Sequence, residues 1–531
     1  MNRKKKIIYI TGIFAVLVAI IGFTYAYIGT RILGNSNSKN MSFTSKKVSV
    51  TYKEISNTSS GETISPGYQY LKIFTATNTG NVEVKYHIYL DEVENDFIRV
   101  QDIIYTLYRK SGNNTITSSN LSSAEVIASG TFPIVNQYIK TDEVLTKPND
   151  VYTYALKINY NTSTESQDSD SGHVFGFKVQ LHTNKDETYG ENTLAYNVIK
   201  NAIGVTDTQE KAGTAKYRPT PTTALVTAIS SSTEADLSQT IDDYGKTFYF
   251  RGNVKNNYVN FANKCWRIVR ILGDGSVKLV LEDKDVTCDS SSYTGNFVIG
   301  YGNFGYTEYA RGSLTASDGV TNPSTKYIKN YLNGNDSSMA KAFSTFQNTF
   351  TSTQISKLKS GNWCFSDKAY IDSTTNPTEL STQEVLDYIV KNTGTGFDYD
   401  SQARIVGKTK TATLKCNGTI LEEFSDNTVM YVAALTADEI VYAGAKVSSS
   451  NKNYWLINKY HASSKFYFWT LSPNMYYNNK DYAYRVHYYG FLDPDLSVSG
   501  TSGRFRPSIQ LVSGITVSKG IGTSTSPYVI E

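Results

Sequence analysis

Only five histidines are spread over 531 residues, and no two of them fall in an H-E-x-x-H spacing. Cysteine is as scarce: there are four, none before Cys265, and no C-x-x-C pair, so a zinc site would lack its usual ligand spacing. The formal net charge is only +4, with no Lys/Arg stripe interleaved with aromatics, which leaves nucleic-acid binding without an electrostatic footprint. Phosphate-loop and nucleophile-elbow signatures are missing as well. Gly245-Lys246-Thr247 ends like a phosphate loop, but Thr240 stands where the first glycine belongs. Gly500-Thr501-Ser502-Gly503 has the wrong spacing for an elbow. No catalytic residue, metal or cofactor is therefore expected, and the chain reads as a non-enzyme.

What is present begins at the amino end. Arg3-Lys4-Lys5-Lys6 precedes Ile7 to Ile28, a run of twenty-two uncharged residues closed by Arg31. Such a run makes ~33 Å of helix, enough to cross a bilayer core of ~30 Å. The basic cluster on its amino side orients the rest of the chain outside the cytoplasm. Residues 1–31 are expected to be a signal peptide or a membrane anchor. Thr24-Tyr25-Ala26 supplies the small residues of a cut after Ala26, and an uncleaved segment would tether the protein to the membrane.

An exported chain with an even cysteine count suggests disulfides. Closest-neighbour pairing would give Cys265–Cys288 and Cys364–Cys416, and the other two connectivities stay open. Tyrosine is abundant, at 41 residues, and suits an exposed, strand-rich surface.

Residues 41–185 alternate like strands. Leu71 and Ile73, then Val82, Val84, Tyr86, Ile88 and Leu90, recur at period two, with Asn78-Thr79-Gly80-Asn81 as a turn between them. Tyr152 to Tyr160 and Phe175 to Leu181 repeat the pattern, and an antiparallel β-sandwich is expected. The acidic segments Asp168-Ser169-Asp170-Ser171-Gly172 and Asp91 to Asp96 read as solvated turns, since the first lacks the ligands of a calcium loop. Thr24-Tyr25-Ala26-Tyr27, Ser65-Pro66-Gly67, Phe74-Thr75-Ala76-Thr77-Asn78-Thr79-Gly80 and Phe175-Gly176-Phe177-Lys178-Val179-Gln180-Leu181 resemble the camelysin/biofilm-fibre (TasA-like) family of Gram-positive bacteria. That resemblance, over residues 5–190, implies an exported β-sandwich, in several members a subunit of matrix fibres. The metallopeptidase activity given to camelysins does not carry over, because only His87, His173 and His182 lie in this half.

Residues 186–240 read as a linker with one short helix, Thr193 to Ala202, and a Ser/Thr-rich run at Ser230-Ser231-Ser232-Thr233. Residues 241–531 mix strands with helical pieces, in an α+β order. A hairpin is predicted from Cys265 to Leu281 with a five-residue loop, helices at Ser324–Leu332, Thr351–Leu358 and Thr382–Val390, and a capping box at Thr436-Ala437-Asp438-Glu439. Tyr249 to Val254, Cys265 to Ile271, Leu435 to Glu439, Trp469-Thr470-Leu471-Ser472-Pro473 and Arg504-Phe505-Arg506-Pro507 resemble an exported domain of Firmicutes. Its ending is similar to the formylglycine-generating-enzyme-like branch of C-type-lectin folds. The calcium triplets of sugar-binding lectins and the catalytic cysteine pair are both missing, so neither chemistry is transferred. Trp266, Trp469, Arg506 and Pro507 are expected as scaffold.

The tyrosine-rich stretch Met475 to Tyr489 is the binding candidate, with Tyr476, Tyr477, Tyr482, Tyr488 and Tyr489 as ligand contacts. Tyrosine offers a flat apolar face and a polar tip at low rotamer cost. The expectation is a cell-surface adhesin that binds a glycan or a protein. The alternative is a matrix fibre subunit that self-assembles through its sandwich.

Overall fold

The computed structural model describes residues 30–33, 41–44, 49–55, 62–80, 82–113, 116–183, 188–304, 337–381, 384–385, 388, 396–424, 427–478, 480–497 and 503–531. The apolar run Ile7 to Ile28, the expected helix Ser324–Leu332 and most of Thr382–Val390 lie outside these residues. Among the described residues no helix is long and apolar enough to cross a membrane. The chain is mainly β, built largely from antiparallel pairs, and divides into two compact units, Met1–Gly190 and Glu191–Glu531.

In the first unit β1 (Thr30–Leu33), β4 (Glu62–Ile64), β6 (Val84–Asn95), β9 (Gln137–Leu145) and β11 (Val174–His182) form one sheet in the order β4-β1-β11-β6-β9. A second sheet runs β2-β3-β5-β10-β7-β8, from β2 (Met41–Thr44), β3 (Ser49–Glu54), β5 (Gln69–Asn78), β7 (Ile103–Ser111), β8 (Glu125–Thr131) and β10 (Val151–Tyr160). Only β1–β11 is parallel among these pairs. The inner rows of both sheets meet: Phe177 packs edge-on to Tyr70 at 6.3 Å, and Tyr86 and Tyr154 join hydroxyls at 2.6 Å. As expected, Val84, Tyr86, Ile88 and Leu90 are wholly buried, but Val82, which the same alternation placed in that row, lies before β6 and is exposed.

On β5 the expected face is reversed. Tyr70, Phe74 and Ala76 lie inside, while Leu71 and Ile73 are half-buried. The interior row includes Lys72, whose ammonium meets the buried Glu54 carboxylate of β3 at 2.7 Å. A neutralised lysine among the core positions hid the true period. The Asn78-Thr79-Gly80 turn is present, yet it carries the chain from one sheet to the other. Asn78, fully buried, donates to the carbonyls of Val82 (2.8 Å), Leu145 (3.3 Å) and Lys147 (3.1 Å), and so pins the crossing.

Residues 168–172 form the expected exposed turn except at Asp170, whereas Asp91 to Asn95 belong to β6 and not to a turn, with Glu92 and Glu94 exposed. Asp170 is 1% exposed; its carboxylate accepts from the backbone amides of Ile98 (2.8 Å) and Arg99 (3.0 Å) and from the Tyr160 hydroxyl (3.2 Å). Asp91 lies on β6 and accepts from Asn136 at 2.9 Å. Backbone amides draw the Asp170 carboxylate inward, and the side-chain amides of Asn136 and Gln180 hold that of Asp91.

The second unit begins well before residue 241, so the expected linker over 186–240 is corrected. The helix Leu194–Ala202, capped by Thr193, buries Leu194, Ala195, Val198 and Ile199. Its Leu194 amide donates to Ile515 O at 2.8 Å, near the chain's end. Strands β12 (Lys216–Arg218) and β13 (Ala235–Asp242) then open a sheet continued by β14 (Gly245–Gly252), β16 (Lys264–Ile271), β17 (Val277–Asp283), Ser508–Leu511 and Val432–Ala433, with β15 (Tyr258–Phe261) paired to β16. The physical reason is one buried pair. Glu234, just after the Ser/Thr run, takes Arg251 Nε at 2.9 Å with both side chains out of solvent.

The predicted hairpin is β16–β17, with Ile271 opposite Val277 across a five-residue loop. Helix Ala437–Ala443 carries the expected capping box and packs against β14 and the strand Phe468–Tyr477 of a second sheet. Trp266, Trp469, Arg506 and Pro507 are all buried. Arg506 donates to Leu281 O (2.8 Å), Leu456 O (2.7 Å) and Glu282 (2.7 Å), tying β17 and the turn at Leu456 to one fixed charge. The four cysteines form Cys265–Cys288 and Cys364–Cys416, the neighbour pairing. Two such bonds suit a chain that folds in an oxidising, extracellular setting.

Candidate functional site

The strand Phe468–Tyr477 is a central member of the second sheet, whose order runs Tyr301–Gly302, Gly503–Arg504, Phe468–Tyr477, Phe397–Tyr399, Ala369–Ile371, Thr378–Glu379. Three of these strands place aromatic residues together. Phe397 is opposite Tyr476 and Asp398 opposite Met475, while Tyr370 pairs with Asp398 on the other side. Around them lies a cleft of about 450 Å³, within the range of small-ligand pockets.

Its apolar surface is a set of rings. Phe397 stacks on Tyr476 at 5.3 Å and 17°, and Tyr388 meets Phe397 edge-on at 6.4 Å. Tyr477 lines the mouth with 46% of its surface exposed. Tyr370 is held by its hydroxyl, which receives the Asn417 amide at 3.2 Å and donates to Glu379 at 3.3 Å. A held ring is a ready platform, since little rotamer freedom remains to be lost on binding.

Its polar surface is acidic. Asp372 and Asp398 both line the cleft, and no basic side chain does among the described residues. Burial pushes the Asp398 carboxyl above its ordinary range, although a hydrogen bond from Ser373 works the other way. Carboxylates beside aromatic faces can accept from hydroxyl or ammonium groups while a ligand's apolar face lies on the rings. Gly396 makes the wall thin: a Cβ there would stand 2.1 Å from Tyr476 O.

The five expected contact residues are thus divided. Tyr476 and Tyr477 belong to the cleft, Tyr476 as a packed floor (2% exposed) and Tyr477 as the accessible ring. Tyr482 is half-buried on Lys480–Val486, opposite Met475 on the neighbouring strand, and does not line the cleft. Tyr488 and Tyr489 sit in the turn after that strand, the first tilted against His487 at 4.1 Å and the second stacked on it at 5.1 Å. Sequence reading missed Tyr370, Tyr388, Phe397 and the two aspartates. The available signal was the short Phe397-Asp398-Tyr399 alternation just after Gly394-Thr395-Gly396.

Among the described residues no group of three His, Cys, Asp or Glu is placed to hold a metal ion. No protein-family model matches the chain, and no curated protein matches it.

Proposed function

We propose that this chain is an exported, non-enzymatic cell-surface protein whose second unit binds a glycan or protein ligand in the aromatic cleft. The observation that carries the reading is the joining of Phe397, Tyr388 and the exposed Tyr477 with Asp372 and Asp398 in one cleft. Stacked rings take the C–H face of a sugar or an aliphatic side chain, and the carboxylates accept its hydroxyl or amine protons. Two disulfides and the charged, apolar leader support delivery to the outside. The finer architecture belongs to the same proposal: a β-sandwich resembling the camelysin/biofilm-fibre family, followed by a C-type-lectin-like domain. Two sheets sharing one interior, and the buried Trp469 and Arg506 of the second unit, support it.

A glycan-array and surface-protein screen with the full chain tests this, with Tyr477→Ala as the variant. We expect at least a tenfold loss of affinity with unchanged circular dichroism, and no change from Tyr489→Ala. Equal binding by wild type and Tyr477→Ala would remove the cleft from the function, and turnover of a bound glycan would make the protein an enzyme.

One observation favours a second reading, the matrix fibre. Strand β8 ends the six-stranded sheet and leaves Val126 54% exposed, which suits strand addition by another chain. Filaments in electron micrographs of the purified protein would favour it, whereas a monomer at all concentrations would dismiss it.

A further inference from the structure

Around a second groove of about 500 Å³, which shares no lining residue with the cleft, the structure gathers three lysines. Two of them lie at the open end of the β16–β17 hairpin: Lys264 begins β16, and Lys284 follows Asp283, the residue opposite Cys265 at the end of β17. Their like charges repel, and here the Cys265–Cys288 bond ties the strand that carries Lys264 to the segment after Lys284. The third, Lys341, comes from the helix Ser338–Gln347, which also presents Thr345 one turn on. Among the described residues a single carboxylate is paired with these ammonium groups: Asp285, which holds Lys284 at 2.6 Å.

The floor between the lysines is apolar. Lys264 Nζ stands 5.8 Å over the Phe346 ring, and Ile299 and Ala342 complete the surface. Burial pulls the Lys264 ammonium below its ordinary pKa, with Lys284 adding to that and Asp285 opposing it. Among the described residues the groove therefore holds more positive charge than its lining neutralises. A bound anion would relieve this.

We propose that this groove binds a phosphate-bearing polyol chain, an anionic polymer in which phosphodiesters alternate with hydroxylated carbons. Lysine is a point-charge partner for phosphate and needs no planar, bidentate geometry. The groove is large enough for more than one repeat, its floor suits C–H groups of the polyol, and Thr345 and Thr349 offer hydroxyls at its edge. This site does not depend on the aromatic cleft.

Calorimetric titration of the full chain with poly(glycerol phosphate), and with poly-glutamate of equal charge, provides the test. Wild type is expected to bind the phosphate polymer more tightly, and Lys264→Gln/Lys341→Gln to lose at least tenfold. Lys211→Gln/Lys255→Gln removes the same charge from exposed positions elsewhere and is expected to leave binding unchanged. If the first pair does not fold, Lys341→Gln alone, an exposed helix position, is expected to cost at least threefold. The proposal is overturned if wild type does not bind, if poly-glutamate binds equally well, or if the control pair loses as much.

Discussion

Glu439 serves a helix end and a buried charge cluster at once. Its carboxylate accepts from the Thr436 amide at 3.0 Å to close the capping box, and takes Lys278 Nζ at 2.8 Å and Arg270 Nε at 3.1 Å. Burial would raise this carboxyl, but the two cations hold it below its ordinary range. Glu439→Gln keeps a capping side chain and removes only the charge, leaving Lys278 in the interior without a counterion. Breaking a buried pair this way costs ~3–5 kcal/mol, to be read from urea denaturation. A loss below ~1 kcal/mol would mean that the lysine is not confined as described.

His461 gives a pH signature at the same scale. Burial, with Arg506 nearby as a second cause, pushes its pKa down to about 3. The unfolded chain binds that proton near pH ~6.5 and the folded chain does not. This contribution is therefore intact above pH ~6.5 and falls by about 1.4 kcal/mol per pH unit toward the folded value. His461→Gln retains a donor for Phe466 O and is expected to flatten that part of the stability–pH profile. An unaltered profile would show that another group sets the slope.

At the scale of elements, the cleft depends on how closely Phe397–Tyr399 approaches Phe468–Tyr477. Gly396 stands at the start of that pairing, and a methyl group there would meet Tyr476 O at 2.1 Å. Gly396→Ala is expected to destabilise the protein by ~1–3 kcal/mol, as overpacking does, and to weaken ligand binding with it. Denaturation together with titration of a screened ligand checks this, and the idea fails if both stay at wild-type values. The same scale explains why some elements were readable. The β16–β17 hairpin and the helix Leu194–Ala202 carry their signals within a few residues, in alternation, a polar turn and a Thr cap. The inward face of β5 was not readable, because Lys72 is tolerated there only through Glu54 on another strand.

For the molecule as a whole, the second unit's boundary decides what can be cut away. A chain beginning at residue 241 would lose β12, nearly all of β13 and Glu234, exposing the edge of β14 and stranding Arg251 in the interior. One beginning at residue 191 keeps them. We expect the longer piece to be soluble, with both disulfides formed, and the shorter to aggregate, as size-exclusion chromatography and thiol titration would reveal. Comparable behaviour of the two would restore 191–240 to the role of a linker.

By itself the sequence determined what depends on near neighbours: the alternating strands, the capped helices and the burial of Trp469 and Arg506, while it left three cysteine connectivities open and the structure selected Cys265–Cys288 with Cys364–Cys416. It also pointed to Tyr476 and Tyr477. Only the tertiary structure could bring Tyr370, Tyr388, Phe397 and the aspartates to them, or gather Lys264, Lys284 and Lys341 around one groove. Strand order and register join residues far apart in the chain, and that pairing energy leaves no local period to read.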